Sequence, residues 1–260
     1  MGIPSETQNP NENNNQEFTV NTVKNNIVIG ELHLREKPSL EENERFNQLL
    51  EQNKDSIFVL EADPSKSDVF EDNQSSPTFM SQALKYSKEK NIRAEILDDE
   101  KISGNRYEIW KEAGSEFSQE EYDNIIAMYI MRVGIYKNNL SLKDVVSNVN
   151  NSEKLDAVRK QTYLNAFSRY MEILQSEKRD EKLKNIEGLI LSYIDYDAVC
   201  RERNYQKKVG EIKDGNPDKK IFAVFGKSHT EGISKTLEDT NYRTQLLPVA
   251  KMKWLISSIF

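Results

Sequence analysis

Only two histidines occur in the 260 residues, His33 and His229, and each stands three residues after a glycine, in GELH at 30–33 and GKSH at 226–229. Imidazole is the one side chain whose ordinary pKa lies near neutrality, so two of them in matching contexts suit proton transfer or metal ligation. Glu31 lies two before His33 and shares its side of an extended chain. Glu61 closes the apolar run IFVL, where an unpaired buried carboxylate is costly. Asp98 and Asp99 end a third run, though aspartate also serves there as a plain turn residue. Arg203, in RERN at 201–204, offers a fixed cation for an oxyanion or carboxylate. Glu31, His33, Glu61, Arg203 and His229 are the candidate catalytic set. Activation of water for hydrolysis is the chemistry they suit, with either a glutamate or a histidine as base. If a divalent ion (zinc, manganese, cobalt or iron) takes part, His33, His229, Glu61 and Glu31 are its candidate ligands.

Two other readings fall away at this stage. The single Cys200 is read as a small buried hydrophobe, not a nucleophile. GKS at 226–228 ends like a phosphate-binding loop, but the required first glycine falls on Ile221.

The elements that must carry these groups alternate. NIVIGELH (26–33), DSIFVLEAD (55–63), IRAEILDD (92–99) and KKIFAVFGKSH (219–229) read as strands buried on both faces, with helices at 39–53 and 77–91 between them. Ser39 with Glu42 forms the signature of a capping box. This pattern predicts an α/β fold with a mostly parallel central sheet flanked by helices, and ligands bind such sheets beyond the carboxyl ends of the strands. A large helical insertion is expected at about 103–213, between the third and last motif strands. Ile126, Tyr129, Ile130 and Val133 should pack one helix of the insertion, and Tyr163, Phe167 and Tyr170 another. EKRDEKLK (177–184) reads as a solvated face. A further strand is expected around 244–248, followed by an apolar tail that docks. Residues 1–22, rich in Asn, Gln and Glu, read as a disordered polar tail, leaving 23–260 as a single domain.

Composition narrows the partners. With 30% charged residues, net charge −7 and mean hydropathy −0.75, a nucleic-acid partner is not expected. No run reaches the length of a transmembrane helix, and residues 1–15 lack the basic start and apolar run of a signal peptide. Glu6 stands where a myristoylation motif requires Ser or Thr. The expected location is cytoplasmic, or secreted into a host cell without a classical signal peptide. The oligomeric state is left open.

NIVIGELH, IFVLEAD, the ERN of RERN and IFAVFGKSHTEGI together resemble the superfamily of TraB/PrgY proteins, Tiki proteases, erythromycin esterases and ChaN-like proteins. Its pattern is two GxxH motifs with a glutamate and an arginine between them. The resemblance falls on Gly30, His33, Glu61, Arg203, Gly226 and His229, and Glu31 matches the E-x-H of the esterase-like and Ras/Rap1-specific endopeptidase branches. It covers about a third of the folded region, and the helical middle has no counterpart. It implies an erythromycin esterase/ChaN-like α/β domain and a hydrolase, first of all a peptidase of the Tiki/TraB type acting on a protein or peptide. The two alternatives are a metal-independent endopeptidase acting as a bacterial effector or toxin on a host small GTPase of the Ras/Rap type, and a protein that binds haem or metal without turnover. The chain departs from Tiki in its signal-less start and from TraB/PrgY in its lack of C-terminal membrane spans.

Overall fold

A computed structural model describes residues 18–32, 38–61, 78–97, 106–137, 141–153 and 155–260. His33, Asp98 and Asp99 lie outside the described residues. The fold is α/β, as expected, and its contacts divide into two compact units, residues 1–100 with 208–242 and residues 101–207 with 243–260.

The first unit holds a five-stranded sheet in the order β1-β2-β5-β3-β4, made from β1 (Phe18–Val23), β2 (Asn26–Glu31), β3 (Ile57–Leu60), β4 (Ala94–Ile96) and β5 (Ile221–Gly226). Only the β1–β2 pair is antiparallel. The register explains the core. Phe222 pairs with Ile27 and Phe58, and Val224 with Ile29 and Leu60, so one face presents a continuous apolar row. Helices α1 (Leu40–Gln52) and α2 (Phe79–Glu89) cover it with Phe46, Leu50, Phe79, Ala83 and Leu84. β5, central in the sheet, is buried throughout, and the four motif strands fall within the expected runs, β2 starting at the expected Asn26 and the other three shorter at both ends. The capping box forms as expected: the Ser39 side chain accepts from the Glu42 N–H while the Glu42 carboxylate accepts from the Ser39 N–H.

On the other face, the 3₁₀ turn Lys227–His229 and helix α8 (Thr230–Glu238) return across β2 and β1. The approach is closest at Gly30, where an added Cβ would lie 2.5 Å from Thr230 Cγ2, 2.7 Å from Thr19 Oγ1 and 3.3 Å from the Lys227 backbone. The first motif glycine therefore serves close packing within a strand. β1 corrects the expectation of a disordered tail for its last residues. Phe18 packs against Phe46 and Phe79, and a two-residue connection at Lys24, whose φ is +54°, returns the chain to Asn26. The buried Asn26 side chain donates to Val23 O and accepts from the Ile221 N–H, tying hairpin to central strand.

The second unit is helical: α3 (Arg106–Glu112), α4 (Gln119–Lys137), α5 (Leu142–Asn151), α6 (Ala157–Gln175), most of α7 (Arg179–Asp214) and α9 (Ala250–Ile259). Trp110, Tyr122, Met128, Phe167, Tyr170, Leu189 and Tyr196 lie in its core. The packing face of α6 is the expected one. That of α4 is rotated: Tyr122, Ile125, Ala127, Met128 and Met131 are its buried apolar residues, with Ile126, Tyr129 and Ile130 at the margin, because apolar residues surround this helix on most sides. No strand forms at 244–248; residues 243–249 are irregular, and the Thr244 N–H goes to the Gln206 side chain in place of a ladder partner. The C-terminal tail does dock, as α9, through Met252, Leu255, Ile256 and Ile259, so the helical unit extends past the expected insertion. No helix among the described residues is long and apolar enough to cross a membrane.

Gly30→Ala should destabilise the sheet unit by about 1–3 kcal/mol through overpacking. Adding Thr230→Ser, which removes the nearest methyl, should recover part of the loss. Chemical denaturation of the single and double variants reads both effects, and an unchanged Gly30→Ala midpoint would contradict the close approach.

Candidate functional site

Glu61 follows the last residue of β3, where its backbone N–H still bonds Val224 O at 3.0 Å, so its side chain leaves the sheet at the carboxyl edge. Its Oε2 accepts the Gly226 N–H at 2.9 Å. Its Oε1 lies 3.6 Å from His229 Nε2, and the two side chains are only 10% and 12% exposed. The second GxxH motif thereby acquires a physical reading. Gly226 supplies an N–H that fixes one carboxylate oxygen, a single 3₁₀ turn closed by Thr230 Oγ1 donating to Lys227 O follows, and His229 is delivered to the other oxygen. A carboxylate so held orients an imidazole and stabilises its charged form.

Glu31 ends β2 beside Gly226 in the register and is buried at 4% exposure. Its Oε1 accepts the Phe79 N–H and its Oε2 the Met80 N–H, each at 3.2 Å. These are the first two amides of α2, donors that no helix can satisfy internally, and the positive end of the helix favours the carboxylate. The N-cap Thr78 takes the next one, from Ser81. Glu31 thus anchors a helix, a role the sequence reading did not foresee. Glu31, Gly226 and Glu61 stand in neighbouring places along the carboxyl ends of β2, β5 and β3.

Arg203 belongs to the helical unit, on α7. Its Nη1 donates to Thr244 O at 2.7 Å, and its Nε is enclosed without a hydrogen-bond partner. Gln206, fully buried, holds Thr244 by donating to its Oγ1 and accepting from its N–H, both at 2.8 Å. Glu202, Asn204 and Gln206 are buried polar residues that sequence reasoning passed over. Their signal was polar residues on every side of one helical turn, RERNYQ. Cys200, on the same helix, is fully buried, and burial pushes its thiol up to about 12. It is uncharged at neutral pH, in keeping with a packing role.

The donors at the sheet edge match part of a metal site. Glu61 and His229 present one oxygen and one nitrogen to the same space, the mixed set that suits zinc, manganese, cobalt or iron. No group of three or more His, Cys, Asp or Glu placed to hold an ion occurs among the described residues, and both Glu31 oxygens are engaged by α2. His33 is the further donor the sequence supplies. A separate open cleft of about 550 Å³ is lined by Arg93, Glu95, Lys208, Glu211 and Asn216 and includes no candidate residue.

Compared with family models, curated proteins and solved structures, the chain finds no match.

Glu31→Ala should leave two amides of α2 without partners and destabilise the sheet unit by about 1–3 kcal/mol. Hydrogen exchange should quicken at Phe79 and Met80 before it does in β5; equal protection in both proteins would remove the anchoring role. Cys200 should resist Ellman's reagent at pH 8 in the native protein and react once per chain in denaturant. Rapid native labelling would show an accessible thiolate.

Proposed function

We propose that this protein is a hydrolase, most simply a peptidase acting on a protein or peptide, in which Glu61 and His229 activate water at the carboxyl edge of the sheet. The observation that carries the reading is the Glu61–His229 pair, enclosed and fixed by the Gly226 N–H. In this reading Glu61 orients the imidazole and His229 takes a proton from water as its oxygen adds to the acyl carbon. The same proton then passes to the departing amine or alkoxide. The family pattern that the sequence resembles assigns the cation for the oxyanion to Arg203; in the structure Arg203 belongs to the helical unit, where its Nη1 donates to Thr244 O. A divalent ion, if bound by Glu61, His229 and His33, would polarise the carbonyl and lower the pKa of water. The E-x-H variant at Glu31 supports a narrower form of the proposal, a metal-independent effector that cuts a small GTPase.

The test is cleavage of fluorogenic casein, nitrophenyl esters and Ras- and Rap-like GTPases by wild type, His229→Ala and Glu61→Gln, with and without chelator. Each substitution should lower turnover by about 10²–10⁴-fold while leaving circular dichroism unchanged. Full activity in His229→Ala overturns the proposal. Sensitivity to chelator assigns the metal-assisted form, and insensitivity the metal-free one. A wild type that cleaves nothing and carries a Soret band supports the non-enzymatic, haem-binding alternative.

A further inference from the structure

The final helix leaves its outer face uncovered in a way its inner face does not. α9 buries Met252, Leu255, Ile256 and Ile259 in the helical core. On the opposite side Trp254 is 60% exposed, and Phe260, which ends the chain here, is 42% exposed. Ala250, Trp254 and Ser257 run along the middle of that outer face, all of them exposed. Lys251 lies on one flank, exposed, and Lys253 on the other, with its ammonium over the Phe117 ring and 4.0 Å from Glu121. Just before the helix, Leu247 is a further exposed apolar residue.

Charge identifies what this face suits. The chain as a whole carries −7, yet residues 240–260 contain Arg243, Lys251 and Lys253 and no aspartate or glutamate. An exposed tryptophan between lysines, on a helix too short and too polar to span a bilayer, has the composition of a segment lying in a membrane interface. Indole prefers the headgroup boundary, and lysine is drawn to anionic lipid. An acidic protein surface would satisfy the lysines, but it would offer the protruding Trp254 and Phe260 no apolar layer to enter.

We infer that the outer face of α9 is a docking surface for anionic membrane, with Trp254 as its wedge and Lys251 as its charge contact. This inference is independent of the hydrolase reading. It would place the protein on a bilayer surface through one face of a single helix. Binding of this kind is reversible and weakened by salt.

The molecule carries its own reporter. Of its two tryptophans, Trp110 is fully buried in the helical core, so a change in emission on binding belongs to Trp254. The full chain is mixed with vesicles of phosphatidylcholine alone or with about 30% phosphatidylserine, at about 0.15 M salt, and followed by sedimentation, emission and acrylamide quenching. The expected result is sedimentation with the anionic vesicles, a blue shift, and protection of Trp254 from quencher. Trp254→Ala should lower partitioning at least about ten-fold, and Lys251→Glu should weaken it on anionic vesicles. Neither residue contributes to the core, and Trp110 emission in Trp254→Ala checks the fold. Wild type that stays in the supernatant with Trp254 open to quencher overturns the inference, as does undiminished binding by Trp254→Ala. Protection of Trp254 without lipid, in a species of dimer mass, overturns it in favour of a second copy of the chain.

Discussion

His229 is held where it is because Gly30 has no side chain. The turn that carries the histidine lies directly on β2, and the space between them is smaller than a methyl group. A residue larger than glycine would push 227–230 off the sheet and lengthen the reach from His229 to Glu61. Two residues almost two hundred apart in sequence therefore act as one structural device: the glycine of the first motif sets the position of the histidine of the second. That coupling gives the repeated Gly-x-x-His pattern a physical basis, and it is different for each copy. Gly30 is needed for what it lacks, and Gly226 for the N–H it gives to Glu61.

Buried carboxylates are a theme of both units, and each is answered by fixed donors. Glu61 takes a strand-end amide and Glu31 two helix amides. In the helical unit Asp197 accepts from the Trp110 indole at 2.9 Å and from Arg106 at 3.3 Å, while Asp123, almost fully enclosed, is held bidentately by Arg159. Among the described residues, Glu61 is the one of these carboxylates set against an imidazole. The others are satisfied by groups that do not exchange protons near neutrality, which separates a site with chemical capacity from anchors of the same residue type.

Much of the fold was legible because it rests on local patterns. Unbroken apolar runs marked β2, β3 and β5, the Ser39–Glu42 pair marked the start of α1, and the Tyr163, Phe167 and Tyr170 spacing marked the buried side of α6. The edge strand β1 escaped notice because FTVNTV is short, half-polar and preceded by an asparagine-rich run. It earns its place through Phe18 and a hairpin turn, contacts that only the folded chain supplies. The rotated face of α4 was not legible because apolar residues occur on most of its sides, so periodicity has little to discriminate. For the site, residue type and strand end were enough to select Glu61 and His229. The helix-anchoring use of Glu31 was hidden, since its partners are backbone amides 48 and 49 residues away, and amides carry no sequence signal.

The place of β5 in the sheet has a consequence for the birth of the molecule. It is the central strand, hydrogen-bonded to both β2 and β3, yet its residues are 221–226 of a 260-residue chain. On the ribosome the β1–β2 hairpin and the β3–β4 pair emerge early as two half-sheets with nothing to join them, and their apolar edges wait through the synthesis of the whole helical region. Only when β5 is released can it slot between them and bring Gly226 and His229 to Glu61. Assembly of the site thus waits for synthesis of the whole helical region, and a nascent or truncated chain that stops short of β5 would expose unpaired strand edges of the kind that chaperones bind and that aggregate.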